Sequence, residues 1–142
     1  NSMKQILLIS LFLLVTLTAC QSSVEEITGK EVTTVDGSYK NITPVDLDTM
    51  LKNTDLILVN VHTPFAGNIA DTDLSIPYDQ ISAPENLAQL PADKNARIVL
   101  YCRSGRMSAI AAEELVSLGY TNIWNLEDGM VAWEQTGREI EK

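Results

Sequence analysis

The chain has 142 residues, of which 45% are hydrophobic, and this length and composition fit one globular domain with its own core. Its formal net charge is −9, which argues against nucleic acid as a partner because phosphate binding requires a basic face. One histidine and two cysteines are too few for a typical metal site, so we expect neither a metal nor a cofactor.

The N-terminus carries a short apolar run. Asn1 and Ser2 precede Met3 and are set aside as a cloning remnant. Lys4 gives a positive start to the apolar residues from Ile6 to Leu17. Because a membrane-spanning helix needs about 20 apolar residues, this run fits the apolar part of a signal peptide better. The motif that follows it directly is Leu17-Thr18-Ala19-Cys20.

This motif resembles the lipobox of bacterial lipoproteins, in which the cysteine is lipidated and becomes the mature N-terminus. The resemblance implies a signal peptide over residues 1–19 and a lipid on Cys20 that anchors the protein to the bacterial cell membrane. The alternative is an uncleaved N-terminal anchor. Either arrangement places the folded part outside the cytoplasm.

Residues 20–38 are acidic and polar, which predicts a tether between the membrane and a domain over residues 39–142. Polar and apolar residues alternate weakly from Glu31 to Val35, and Asp36-Gly37 is a turn signal. A short hairpin or edge strand before the domain therefore also remains open.

From Tyr39 onward, predicted strands alternate with predicted helices, which indicates an α/β fold with a mainly parallel central sheet and helices on both of its faces. In such sheets ligands gather at the carboxyl ends of the strands. The predicted strands are Tyr39 to Ile42, Leu56 to Val61, Ile98 to Tyr101 and Ile123 to Leu126. The predicted helices begin at Pro44, span Pro84 to Leu90, Ala109 to Leu118 and Met130 to Gln135, and include one turn near Phe65 to Ile69.

One loop combines features that favour reactive chemistry. Cys102 lies where a strand leads into a helix, at the positive end of the helix dipole, which favours a thiolate. Arg103 and Arg106 add positive charge, and Gly105 lets successive amides converge on one anion. If Cys20 carries lipid, Cys102 has no disulfide partner. The alternative is a buried cysteine that only ends a strand.

The loop has the pattern Cys-x-x-Gly-x-x-Ser, and here the chain resembles the rhodanese family of sulfurtransferases. The resemblance implies that Cys102 is the catalytic nucleophile, which takes a sulfane sulfur from a donor as a persulfide and passes it to a nucleophile. It also implies that the following residues cradle the bound sulfur, with the Ser108 hydroxyl as a hydrogen-bond donor. These residues are Arg103, Ser104, Gly105, Arg106, Met107 and Ser108.

A second segment carries the same resemblance. The segment from Gly119 to Trp133 is similar to the family's strand, glycine turn and helix, with Asp128 where a glycine is common. The residues that carry the similarity are Gly119, Tyr120, Asn125, Leu126, Gly129 and Trp133. The resemblance covers about residues 42–136. It departs after the Leu56 strand, where the family usually has Asp-x-Arg and this chain has Asn60 and His62. These two residues lie beside the predicted site, and we expect His62 to bond a backbone group rather than to act as a catalytic base.

Three function classes follow. The first is a monomeric sulfurtransferase that takes sulfur from an anionic small-molecule or protein donor, such as thiosulfate or a persulfide, and passes it from Cys102 to a thiol, cyanide or a protein. The second is a phosphatase or arsenate reductase, whose loop has the form Cys-x5-Arg, and it is disfavoured because Ser108 occupies the arginine position. The third is a module without catalytic activity that binds a partner or senses oxidants through Cys102.

Overall fold

The computed structural model describes residues 26–142. The predicted signal peptide and Cys20 lie outside the described residues. Six strands form one mixed sheet within residues 26–142. The strands are β1 (Lys30–Thr33), β2 (Ser38–Ile42), β3 (Ile57–Asn60), β4 (Leu74–Ser75), β5 (Ile98–Tyr101) and β6 (Ile123–Leu126). Their order in the sheet is β1-β2-β6-β5-β3-β4. Among these strand pairs, only β1 with β2 is antiparallel.

Helices cover both faces of this sheet. They are α1 (Pro44–Asn53), α2 (Pro84–Leu87), α3 (Arg106–Ser117) and α4 (Gly129–Gln135), with a 3-10 turn at Tyr78–Gln80. Leu47 of α1 and Trp133 of α4 pack in one core cluster. Leu115 of α3 and Leu87 of α2 pack in the other. The predicted α/β class, with a mainly parallel sheet between two helical layers, is confirmed.

Local sequence explains how α1 begins. The Thr43 hydroxyl accepts the Asp46 N–H at 3.2 Å, and the Asp46 carboxylate accepts the Thr43 N–H at 3.0 Å. This reciprocal capping box satisfies two backbone groups that the helix end would leave unpaired. Pro44 at the first helical position adds a backbone already fixed near helical φ.

The structure corrects two predicted boundaries and one predicted turn. The sheet begins at Lys30, inside the predicted tether and before the predicted domain start at Tyr39, because β1 pairs along β2 and forms the hairpin that the sequence left open. The helix predicted from Pro84 to Leu90 ends at Leu87 and continues only as turns. No helical turn forms near Phe65 to Ile69, because the backbone of Asn68 bonds Glu141 in both directions, at 2.7 and 2.8 Å.

Within residues 26–142, no helix has the length and apolar character required to cross a membrane.

Candidate active site

Cys102 follows β5, a central strand flanked by β3 and β6. All four residues of β5 are buried, and Cys102 itself is 1% exposed. Because β3, β5 and β6 run parallel, their carboxyl ends meet at one edge of the sheet. The segments that follow them therefore converge around Cys102.

The Cys102 sulfur accepts hydrogen bonds from the loop and from the first turn of α3. The Gly105 N–H donates to Sγ at 3.0 Å, and the Ser108 hydroxyl lies 3.4 Å from Sγ and 3.2 Å from the Gly105 carbonyl oxygen. Gly105 reaches this position with φ of +100°, in the region that favours glycine. One backbone N–H, together with a hydroxyl whose single proton is shared between Sγ and the Gly105 carbonyl oxygen, lies at the sulfur beside the start of a helix, and this arrangement suits an anion there.

The opposite side of the loop is held by α4. The Met130 N–H donates to the Cys102 carbonyl at 2.9 Å, and the Val131 N–H donates to the Arg103 carbonyl at 3.0 Å. The N–H and C=O groups of a trans peptide point in opposite directions, so these bonds turn the N–H groups of Arg103 and Ser104 away from α4. The N-terminus of α4 thus fixes the orientation of the cysteine loop.

The structure places the last three residues of the predicted loop, Arg106 to Ser108, in the first turn of α3, and most of the other side chains of the predicted loop face outward. Arg103, Ser104 and Arg106 are exposed, and Met107 is half-buried. The structure therefore brings together Cys102, Gly105 and Ser108 around the sulfur and leaves both predicted arginines at the solvent-facing rim. Ser108 is fully buried at the position where a phosphatase loop would hold its arginine.

Asn60 is the buried last residue of β3 and uses both ends of its amide. Its Nδ2 donates to the Gly67 carbonyl and to the Asn68 Oδ1, both at 2.9 Å, while its Oδ1 accepts the His62 N–H at 2.9 Å. These bonds require an amide, because a carboxylate could not donate to two oxygens. Asn60 thereby shapes the loop that follows β3.

His62 is half-buried beside Arg103. Burial lowers the pKa of His62 below its ordinary value, and the positive charge of Arg103 lowers it further. Its Nδ1 is buried without a hydrogen-bond partner. The neutral imidazole is thus the stable form near pH 7. The His62 backbone N–H bonds Asn60 Oδ1, whereas the sequence predicts a bond from the imidazole to a backbone group, which Nδ1 does not make. His62 makes no hydrogen bond to Cys102 in the structure.

The family model of the rhodanese-like domain matches residues 43–136. The chain belongs to the rhodanese-like family. It is 34% identical over 88 residues to a sulfurtransferase of Allochromatium vinosum, covering 61% of this chain and 78% of that protein. It is 35% identical over 98 residues to an uncharacterized protein of Synechocystis sp., covering 68% of this chain and about half (52%) of that protein.

Solved structures agree with the sequence relationship. A rhodanese-like domain protein from Staphylococcus aureus superposes with a TM-score of 0.59 at 34% identity, covering 72% of this chain and 99% of that one.

A third sequence relative is much longer than this chain. A probable adenylyltransferase/sulfurtransferase of Mycobacterium tuberculosis, MoeZ, is 37% identical over 95 residues, but the match covers only 24% of that protein. The relationship therefore extends to about a quarter of MoeZ.

One departure of this rhodanese-like chain has a structural explanation. Asp128, where the family commonly has glycine, adopts φ of +61° immediately before α4. Aspartate tolerates this left-handed conformation better than most residues. The turn therefore keeps its shape, and the next residue, Gly129, packs directly against the Cys102–Arg103 peptide.

Sequence reasoning missed one group of residues near this rhodanese-like site. The buried Tyr101 hydroxyl accepts the Ile69 N–H at 3.0 Å and lies 2.7 Å from the Thr72 hydroxyl and 3.3 Å from Asn68 Oδ1. Burial raises the pKa of Tyr101, so the hydroxyl stays protonated. No short-range motif links these residues, because the bonds join positions about thirty apart. Within residues 26–142, no cluster of three or more metal-binding side chains occurs.

Proposed function

We propose that the protein is a rhodanese-type sulfurtransferase that moves a sulfane sulfur through a persulfide on Cys102. The observation that carries this proposal is the pair of donors at Sγ, the Gly105 N–H at 3.0 Å and the Ser108 hydroxyl at 3.4 Å. The same groups would stabilise Sγ as it leaves as a thiolate when an acceptor takes the outer sulfur. The family membership and the sulfurtransferase relative support the reaction class.

The reaction takes two balanced steps. The Cys102 thiolate attacks the outer sulfur of a donor such as thiosulfate, the donor S–S bond breaks, and sulfite leaves with the bonding electron pair. An acceptor thiolate then attacks the outer sulfur of the Cys102 persulfide, which releases an acceptor persulfide and regenerates the Cys102 thiolate. Arg103 and Arg106 at the rim of the loop would attract an anionic donor.

The test is the intact mass of the chain from Gln21 onward before and after incubation with thiosulfate or a small persulfide. We expect a gain of one sulfur atom that a reductant removes. The Cys102→Ser variant should show no gain. If wild-type protein gains no sulfur from either donor while its thiol still reacts with an alkylating reagent, the protein would instead be a binding or redox-sensing module.

We also propose that Cys20 carries a lipid that anchors the protein to the bacterial cell membrane, outside the cytoplasm. The apolar run and the lipobox resemblance support this location. In a bacterial host, the full chain should incorporate labelled fatty acid and sediment with membranes, and Cys20→Ala should do neither. Equal labelling of both proteins would refute the lipid attachment.

A further inference from the structure

Asp128 precedes α4, at the position where an aspartate usually caps a helix, but its carboxylate does not cap this one. A capping carboxylate accepts the N–H of the second or third helical residue, which here are Met130 and Val131. These two N–H groups instead donate to the carbonyl oxygens of Cys102 and Arg103, at 2.9 and 3.0 Å. The Asp128 carboxylate therefore does not stabilise the start of α4 by capping.

The Asp128 backbone lies against the residue that bonds the Cys102 sulfur. A Cβ built on Gly105 would lie 3.1 Å from the Asp128 nitrogen and 3.6 Å from its Cα, and the Gly105 N–H donates to Sγ at 3.0 Å. Because a carboxyl carbon is only two bonds from its Cα, these distances keep the Asp128 carboxylate within about 12 Å of Sγ. A sulfur donor that reaches Cys102 therefore comes under the influence of this negative charge.

The charge of Asp128 is not neutralised by an ion pair. Asp128 is exposed, and the ion pairs within residues 26–142 both involve Asp48. Arg103 and Arg106 are exposed at the rim of the same loop and are not paired with Asp128 either. All three charges thus act on an approaching donor.

We propose that Asp128 is a specificity-determining residue that shifts Cys102 from doubly charged toward singly charged sulfane donors, such as an alkyl persulfide or a thiosulfonate. This inference rests on the proposed function. The two arginines attract an anion, and Asp128 opposes part of that attraction. Because a Coulomb energy is proportional to the charge of the donor, the repulsion by Asp128 is twice as large for a dianion as for a monoanion.

Two donors isolate the effect of donor charge. Thiosulfate carries two negative charges, and the methanethiosulfonate anion carries one. In both cases the Cys102 thiolate attacks the outer sulfur, the donor S–S bond breaks, and its electron pair leaves with sulfite or with methanesulfinate. Both reactions leave the same persulfide on Cys102 and require no external oxidant or reductant.

The experiment measures the rate constant of sulfur loading from each donor by the intact mass of the chain from Gln21 onward. The ionic strength is about 0.01 M, where the screening length is about 30 Å. Asp128→Asn removes the charge, and asparagine also tolerates the left-handed backbone of this position. Asp55→Asn is the matched control, because Asp55 is exposed and precedes β3 at the opposite edge of the sheet.

The quantity compared is the thiosulfate rate constant divided by the methanethiosulfonate rate constant, so a uniform change in the reactivity of Cys102 cancels. We expect Asp128→Asn to raise loading from thiosulfate about fourfold and from methanethiosulfonate about twofold, which doubles the ratio. At about 1 M salt, where the screening length is about 3 Å, the variant and the wild-type protein should have equal ratios. Asp55→Asn should leave the ratio unchanged at both salt concentrations.

A structural effect of Asp128→Asn would change both rate constants by the same factor and would not depend on salt. An unchanged ratio, a change that persists at high salt, or an equal change in Asp55→Asn would overturn the inference while leaving the proposed function intact. Failure of the wild-type protein to load sulfur from either donor would instead count against the proposed function.

Discussion

The side-chain amide of Asn60 donates hydrogen bonds that a carboxylate at this position could not donate. In Asn60→Asp, an ionised side chain would face the Gly67 carbonyl and the Asn68 Oδ1 without a donor for either. We expect the free energy of unfolding to fall by about 2 kcal/mol at pH 7, the cost of buried polar groups left unpaired. Urea unfolding measures this change.

The matched control is Asn95→Asp. Asn95 is exposed, and its Oδ1 accepts the Thr121 hydroxyl, so a carboxylate keeps that bond. The loss in Asn60→Asp should shrink as the pH falls toward about 4, where the carboxyl gains a proton and can donate again. Equal stabilities of the two variants would contradict the importance of the Asn60 donor.

His62 makes stability depend on pH in a defined window. Its folded-state pKa lies below the ordinary value of 6.5 because of burial and the charge of Arg103. Between the two pKa values the unfolded chain binds more protons at this residue than the folded chain does. The free energy of unfolding should therefore fall as the pH drops below 6.5. Urea unfolding at several pH values should show a smaller decrease for His62→Gln, and parallel curves would contradict this prediction.

At the scale of elements, the N-terminus of α4 positions the cysteine loop through Gly129. An alanine Cβ there would overlap the Cys102 carbonyl oxygen and lie 2.8 Å from the Arg103 carbonyl oxygen, at φ of +54°. We expect Gly129→Ala to lower the free energy of unfolding by about 3 kcal/mol and to slow sulfur loading of Cys102. Urea unfolding and intact mass after timed incubation with thiosulfate measure the two effects.

Gly137→Ala is the control for backbone strain alone. Gly137 has φ of +83°, but its Cβ would meet nothing within 4 Å. Gly137→Ala should lower the free energy of unfolding by only roughly 1–2 kcal/mol, the cost of a non-glycine residue in the left-handed conformation, and should leave sulfur loading unchanged. If both variants behaved alike, contact between α4 and the loop would not be what positions Cys102.

The elements also show what the sequence could predict. The strands Ile98–Tyr101 and Ile123–Leu126 are predicted with their observed bounds. The first is a continuous apolar run, which marks a buried parallel strand, and the second is interrupted only by Asn125. The cysteine loop was predicted because its motif is local. The helical turn predicted near Phe65 to Ile69 is wrong, since the conformation of this segment depends on hydrogen bonds to Glu141, over seventy residues away. Bonds that remote leave no periodic pattern in the sequence.

At the scale of the whole molecule, the exposed rim of the cysteine loop differs in charge from the rest of the chain. The net charge is −9, yet Arg103 and Arg106 both lie at this rim. Screening limits charge effects to about 8 Å at physiological salt, so an approaching anion responds to these arginines and to the neighbouring Asp128 and Glu134 more than to distant acidic groups. An acidic protein can therefore still accept an anionic donor.

The outer strand β1 determines where the independent domain starts. β1 covers the edge of β2, and Ile27 and Val32 pack against the two core clusters. Compared with a chain that starts at Glu26, a chain that starts at Ser38 loses these contacts. We expect its free energy of unfolding to be about 2 kcal/mol lower, from lost apolar burial and backbone bonds.

The shortened chain should also self-associate, because removing β1 leaves the backbone of β2 unpaired at an exposed edge. Urea unfolding and light scattering over a range of protein concentrations test both effects. Equal stability and a monomeric state for both chains would mean that β1 adds nothing to the fold. The domain boundary predicted at Tyr39 would then describe the stable unit better than the extent of the sheet does.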